Sequence, residues 1–137
     1  MNATPLRVLV VDDEPPIANT LRELLAPEHE VIAATTAREA FEAMARSDFD
    51  VVFCDLIMPG AGGIDLYEQL RREHPGLERR IVFMTGGAFT ERTAEFLASV
   101  ENRRVEKPFS LGLVEQIVRE MAGAGDRRAA EAARVVR

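Results

Sequence analysis

Two hydrophobic spacings alternate along the chain. Short unbroken apolar runs, rich in Val, Ile and Leu, are each followed by a segment whose apolar residues recur every three or four positions. The first spacing predicts strands buried on both faces, the second amphipathic helices. Leu6–Val11 (LRVLVV) is the first run and ends in Asp12-Asp13. Glu14-Pro15-Pro16 opens a helix, since proline suits a first turn, and places Ile17, Leu21, Leu24 and Leu25 on one face, with Pro27 at its end. Glu30–Ala34 is a weaker strand. Thr36, with Glu39 three residues on, predicts a capping box for a helix that buries Ala37, Ala40, Phe41 and Met44. Asp50–Cys54 (DVVFC) is the second strong strand and delivers Asp55. Pro59, Gly60, Gly62 and Gly63 mark a loop, and Ile64, Tyr67 and Leu70 recur in the next helix, which stops near His74-Pro75-Gly76.

Arg80–Met84 (RIVFM) is a fourth strand and delivers Thr85. After Gly86-Gly87 comes a helix with Ala94, Leu97 and Ala98 on one side. Arg103–Glu106 is short and polar, as an edge strand would be, and it delivers Lys107-Pro108. Ser110 caps the last helix, whose Leu111, Val114, Ile117, Val118 and Met121 share a face. Five strand–helix units imply parallel strands joined by right-handed crossovers. The expected fold is α/β: a flavodoxin-like, doubly wound five-stranded parallel sheet in the order 2-1-3-4-5, its switch point between strands 1 and 3. Residues 1–122 make one domain. Residues 123–137, rich in Ala and Arg, read as a helical extension or tail.

Composition narrows the functional classes. The 137 residues are 47% hydrophobic and 29% charged, ordinary for a soluble globular domain. No apolar run approaches the ~18 residues a membrane helix needs. Residues 1–5 lack the features of a secretory signal, and the single cysteine, Cys54, excludes an internal disulfide or a multi-cysteine zinc site. Cytoplasmic location without membrane contact is the expectation. The net charge is −6; residues 123–137 carry four arginines against Asp126 and Glu131, leaving −8 on the remainder. A body that acidic is a poor nucleic-acid binder, so no direct nucleic-acid contact is expected.

In an open parallel sheet, functional groups gather at the carboxyl ends of the strands. Those ends carry Asp12, Asp13, Asp55, Thr85 and Lys107. Strands 1 and 3 are neighbours, so three carboxylates converge, and they repel unless a cation is present. A hard divalent ion such as Mg²⁺ fits oxygen ligands and keeps waters for a phosphate. With a hydroxyl and an ammonium opposite, the set suits phosphoryl transfer, with Asp55 as nucleophile.

Four motifs now stand in order, each at a strand end: Val10-Val11-Asp12-Asp13-Glu14-Pro15, Asp55-Leu56-Ile57-Met58-Pro59-Gly60, Met84-Thr85-Gly86 and Lys107-Pro108-Phe109. Over roughly residues 6–122 the sequence resembles the response-regulator receiver domains of two-component signalling. The run Met84–Thr90 with Glu106–Phe109 is similar to receivers joined behind hybrid sensor histidine kinases. The resemblance implies that Asp55 accepts a phosphoryl group from a phosphohistidine on a sensor kinase or phosphotransfer protein, with Mg²⁺. It implies Asp13 as a direct metal ligand, Asp12 as one acting through water, and the backbone carbonyl of Ile57 completing the set. Thr85 would follow the phosphoryl group and Lys107 pair with it. Gly86 would be the small residue beside it, and Pro108 the proline after the lysine, commonly joined by a cis bond. The readout would be a changed surface on helix 4, strand 5 and helix 5. The family often places an aromatic three residues before the lysine; here that position is Arg104. Ile57 and Gly87 hold the positions that flank the hydrolytic water.

The domain would catalyse its own modification rather than turn over a substrate. Two competitors remain. A haloacid-dehalogenase-type phosphatase places a second acid two residues after its nucleophile, where this chain has Ile57. A pseudo-receiver, used only for interaction, usually lacks Asp55, Lys107 or the acid pair, all present here. Plainer readings also exist: Asp12-Asp13 as a helix N-cap, Thr85 as a strand-end hydroxyl, Lys107 as a solvated lysine. Cys54 alternates away from Asp55 as a small core residue. His29 and His74 are expected at exposed helix ends, and Phe96, off the Ala94–Leu97–Ala98 stripe, on an exposed partner surface.

Overall fold

The computed structural model describes residues 5–86 and 90–122. Its elements are β1 Arg7–Val11, α1 Pro15–Leu25, β2 Glu30–Ala34, α2 Ala37–Arg46, β3 Val51–Asp55, α3 Gly63–Glu73, a 3₁₀ turn Leu77–Arg80, β4 Ile81–Thr85, α4 Glu91–Ser99 and β5 Arg104–Glu106. A fifth helix, α5, covers 111–122. All strand pairs are parallel, in the order β2-β1-β3-β4-β5. This is the expected doubly wound sheet. The reading of residues 123–137 as a tail, and the positions of Gly87 and Phe89, lie outside the described residues.

Strand alternation splits the core in two. Val8, Val10, Phe53, Val82 and Met84 face α1 and α5, packing on Leu21, Leu25, Val114, Ile117 and Val118. Leu9, Val11, Val52, Cys54 and Phe83 face the other way, among Met44, Leu66, Leu70 and Leu97. Each fully buried Leu, Val or Phe contributes roughly 1.5–3 kcal/mol of transfer free energy, so the central strands hold the sheet regardless of local helix propensity. Among the described residues no helix is long and apolar enough to cross a membrane.

Several local expectations shift. Strands β3 and β4 each run one residue later, ending on Asp55 and Thr85, because both residues keep ladder partners, Met84 and Glu106. The buried face of α4 is Thr93 and Leu97, with Phe96 and Val100 half-buried; Ala94 and Ala98 are exposed. Phe96 is not a free surface residue. Its ring sits edge-on to Phe83 (5.3 Å) and Tyr67 (5.2 Å), because burying a large ring outweighs burying an alanine methyl. Leu111 leaves its predicted stripe and is 47% exposed, being in the first turn of α5. His29 and His74 are half-buried: His29 Nδ1 accepts the Leu6 N–H at 3.0 Å, and His74 packs on Phe41. Thr36 caps α2 by accepting the Glu39 N–H at 3.1 Å, while the Glu39 carboxylate takes the Thr35 hydroxyl at 2.8 Å. Ser110 Oγ accepts the Leu113 N–H at 3.4 Å.

The loop after β3 is held by a close backbone approach. A Cβ on Gly62 would lie 2.5 Å from the Leu56 carbonyl oxygen, and one on Gly63 3.0 Å from that of Asp55. Both contacts are with backbone, which cannot move without displacing Asp55. Gly62→Ala is therefore expected to lower stability by about 1–3 kcal/mol. Gly112→Ala, on α5 with nothing within 4 Å of the added methyl, should raise it by roughly 0.5–1 kcal/mol. Urea unfolding of the two variants checks both signs.

Candidate functional site

Strands β1, β3, β4 and β5 all end at one edge, and their last residues bring the predicted groups together. Asp12 follows β1 and is almost wholly buried. Its Oδ1 accepts the Glu14 N–H at 2.9 Å, turning the chain into α1. Asp13 is exposed beside it. Asp55 ends β3 with Oδ1 accepting the Ile57 N–H at 3.2 Å. Ligand oxygens of Asp12, Asp13 and Asp55 lie within 4.8 Å of one another, the one such cluster among the described residues.

Lys107 crosses this cluster. Its Nζ donates to Asp12 Oδ2 at 2.7 Å and to Asp55 Oδ2 at 3.0 Å. The Lys107 N–H donates to the Thr85 carbonyl at 2.8 Å, fixing the lysine's stem to the end of β4. The Lys107–Pro108 bond is cis. Gly86 lies against the same stem, where a Cβ would meet the Lys107 side chain in ordinary van der Waals contact at 3.5 Å. Thr85 is buried, and among the described residues its hydroxyl makes a long contact, 3.5 Å, to the Val105 carbonyl of β5. A cavity of about 310 Å³ opens here, lined by Glu14, Asp55, Leu56, Ile57, Met84, Thr85, Gly86 and Lys107. A larger one, about 580 Å³, lies at the opposite ends of the strands, remote from these carboxylates.

The electrostatics follow from the crowding. Burial pushes the Asp55 carboxyl above its ordinary value; hydrogen bonds from Lys107 and the Ile57 N–H, and the lysine's charge, pull it back only in part, and Asp12 adds to the rise. Burial opposes the Lys107 ammonium, yet its hydrogen bonds to Asp12 and Asp55 outweigh that and hold it above its ordinary value. Burial, with the charges of Asp55 and Asp12, pushes the Cys54 thiol far up, so it stays neutral within the core.

Thus Asp12, Asp13, Asp55, Thr85, Gly86, Lys107 and the Ile57 backbone converge. The Asp pair is not the α1 N-cap; Glu14 holds that position, without a side-chain cap. Arg104 stands apart, exposed on the edge strand β5, where it borders a shallow cleft with Ala94, Leu97 and Ala98. Glu14 was not among the expected site residues, although its place between Asp13 and Pro15 was a signal that it enters the same turn.

Fold and site together define a flavodoxin-like domain with an acidic, lysine-bridged pocket at its switch point. The family model for the response regulator receiver domain matches residues 8–119. The chain belongs to this family and is a receiver domain of two-component response regulators. It is 35% identical to the probable transcriptional regulatory protein TcrX of Mycobacterium tuberculosis, over 83% of this chain and 47% of that protein. It is 38% identical to the nitrate/nitrite response regulator NarP of Escherichia coli, over 61% of this chain and 39% of that protein. The chain thus spans about half the length, or less, of these curated relatives. Among solved structures it resembles the receiver domain of a sensor histidine kinase from Pseudomonas aeruginosa, which holds a magnesium ion in its active-site cleft. That likeness has a TM-score of 0.75 and 21% identity, over 87% of this chain and 98% of that one.

A raised carboxyl has a defined thermodynamic sign. Folded Asp55 binds its proton more tightly than the unfolded chain does. Its contribution to stability is therefore present at low pH and lost as pH rises through the folded value. At neutral pH its charge opposes folding, so Asp55→Asn should raise the melting temperature at pH 7. The gain should shrink as the buffer is taken down through the carboxylate range. Scanning calorimetry of both proteins across that range measures it.

Proposed function

We propose that Asp55 is the phosphoacceptor of this receiver domain and that a divalent cation, Mg²⁺, binds with it. The observation that carries the reading is the Lys107 ammonium bridging Asp12 Oδ2 and Asp55 Oδ2 beside a pocket that Thr85 also lines. The donor set fits a hard cation: three carboxylates within 4.8 Å share one lysine and so retain excess negative charge. Asp13 and Asp55 would hold the ion directly, Asp12 through water, and the Ile57 carbonyl would complete the set. When bound, the ion supplies neutralisation of the carboxylates and of the transferring phosphoryl group.

The protein's own groups then divide the work. A carboxylate oxygen of Asp55 attacks the phosphorus of a phosphohistidine, and the nitrogen–phosphorus bond breaks with its electron pair returning to the imidazole. Lys107, within 3.0 Å of Asp55, moves its hydrogen bond from the carboxylate to the new phosphoryl oxygens. The Thr85 hydroxyl, weakly held by Val105, turns to the same oxygens. Releasing Val105 links the event to β5, and so to the surface of α4, β5 and α5. A receiver uses this differential contact to bias two conformations. The donor is a sensor histidine kinase or histidine phosphotransfer protein. The domain catalyses its own modification and, slowly, its reversal. The phosphatase competitor is disfavoured by Ile57, whose apolar side chain is 52% exposed where the second acid would stand.

Incubation with acetyl phosphate and Mg²⁺, followed by intact-mass spectrometry, tests the acceptor. One phosphoryl group is expected on the wild type. None is expected on Asp55→Asn, and labelling of Asp13→Asn should fall at least about tenfold. Equal labelling of wild type and Asp55→Asn ends the reading. A second expectation concerns the switch. An unpaired guanidinium is costly to bury, so Arg104 should remain solvent-facing or paired with an acid when beryllofluoride occupies the site. A crystal structure of that complex with Arg104 buried and unpaired would refute it.

A further inference from the structure

Hydrolysis of an aspartyl phosphate requires a water on the far side of phosphorus from the Asp55 oxygen. Asp55 lines the cavity of about 310 Å³, which is the open space beside it where such a water could stand. The side chains bordering the cavity decide what can hold such a water. Leu56, Ile57 and Met84 are apolar and Gly86 has no side chain. Residues 87–89 are Gly-Ala-Phe, so they bring no hydrogen-bonding side chain wherever they lie. Thr85 and Lys107 are the donors that would engage the phosphoryl oxygens rather than the water. Among the described residues lining the cavity, Glu14 is the remaining one with a polar side chain, and its carboxylate accepts hydrogen bonds, as an attacking water requires.

Its backbone is fixed for the task. The Glu14 N–H donates to Asp12 Oδ1 at 2.9 Å, and that carboxylate's other oxygen binds Lys107. Pro15 restricts the residue before it to extended geometry, and Glu14 has φ −100° and ψ 108°. The side chain therefore starts from a point registered to the reacting carboxylate, with α1 growing directly from it.

We propose that Glu14 is a positioning residue for self-dephosphorylation, its carboxylate orienting the water that attacks phospho-Asp55. The water oxygen bonds to phosphorus as the phosphorus–Asp55 oxygen bond breaks. The electron pair returns to the Asp55 carboxylate, and both water protons leave on dihydrogen phosphate. Glu14 aligns the water and takes no net proton. The proposal rests on Asp55 as acceptor.

The test is the lifetime of the full chain phosphorylated by phosphoramidate with Mg²⁺, followed by intact mass after donor removal. Glu14→Ala should lengthen the half-life on the order of tenfold, the usual scale for losing alignment of one reactant. Glu14→Gln, which keeps an acceptor oxygen at the same reach, should fall between. The initial labelling rate should change far less than the decay, a split that general loosening of the site would not produce. Decay of Glu14→Ala at or above the wild-type rate overturns the proposal, as does loss of labelling in parallel with decay. If the alanine variant fails to fold, wild-type decay in Glu14→Gln overturns it instead. Absence of label on wild-type Asp55 overturns the acceptor reading, and the proposal with it.

Discussion

One ammonium held between two carboxylates is the constraint on which the site depends. Asp12 is buried, Asp55 half-buried and Asp13 close by. Three negative charges in that space would repel strongly at low effective dielectric. Lys107 offsets part of this from across the pocket, but one positive charge cannot neutralise three. The residual charge leaves the cluster suited to a cation, while burial, with a smaller addition from Asp12, keeps the Asp55 carboxyl above its ordinary value. The same imbalance suits phosphoryl chemistry. A lysine bridging two carboxylates can exchange one of them for a phosphoryl group without leaving its place.

The scaffold serves this arrangement through backbone rather than side-chain contacts. Gly62 and Gly63 let the start of α3 press on the carbonyls of Leu56 and Asp55, so the loop after β3 has little freedom. The Thr85 carbonyl takes the Lys107 N–H. Its buried hydroxyl reaches Val105 on a three-residue edge strand. That edge has one neighbour, β4, so it can move with less disruption than β1 or β3. Phe83, Phe96 and Tyr67 tie α3, β4 and α4 into one aromatic contact behind the site. Thr85 is thus joined through Val105 to the strand whose exposed face bears Arg104.

Most of the fold was legible because burial on both faces of a parallel sheet leaves a strong mark: LRVLVV, DVVFC and RIVFM are unmistakable. Errors fell where burial is partial. On α4, spacing favoured two alanines, whereas Phe96 gained more by turning toward Phe83. Leu111 fits a helical stripe but lies in the first turn of α5, short of the core. His29 has no apolar signature, and its role as acceptor for Leu6 depends on two segments 23 residues apart. Glu14 escaped notice because its neighbours already explained the acidic turn.

What the sequence by itself determined is the order of strands and helices, and hence which residues end at the carboxyl edge. Periodicity and turn chemistry are local, and the handedness of parallel crossovers leaves few topologies. That was enough to bring Asp12, Asp13, Asp55, Thr85 and Lys107 to one place. Tertiary structure alone decided how they engage: that Lys107 bridges Asp12 and Asp55, that Thr85 rests against Val105, and that Glu14 borders the pocket while Arg104 stands outside it. Those facts depend on distances between segments up to 95 residues apart. They are set by the packing of two core layers, which no local pattern encodes.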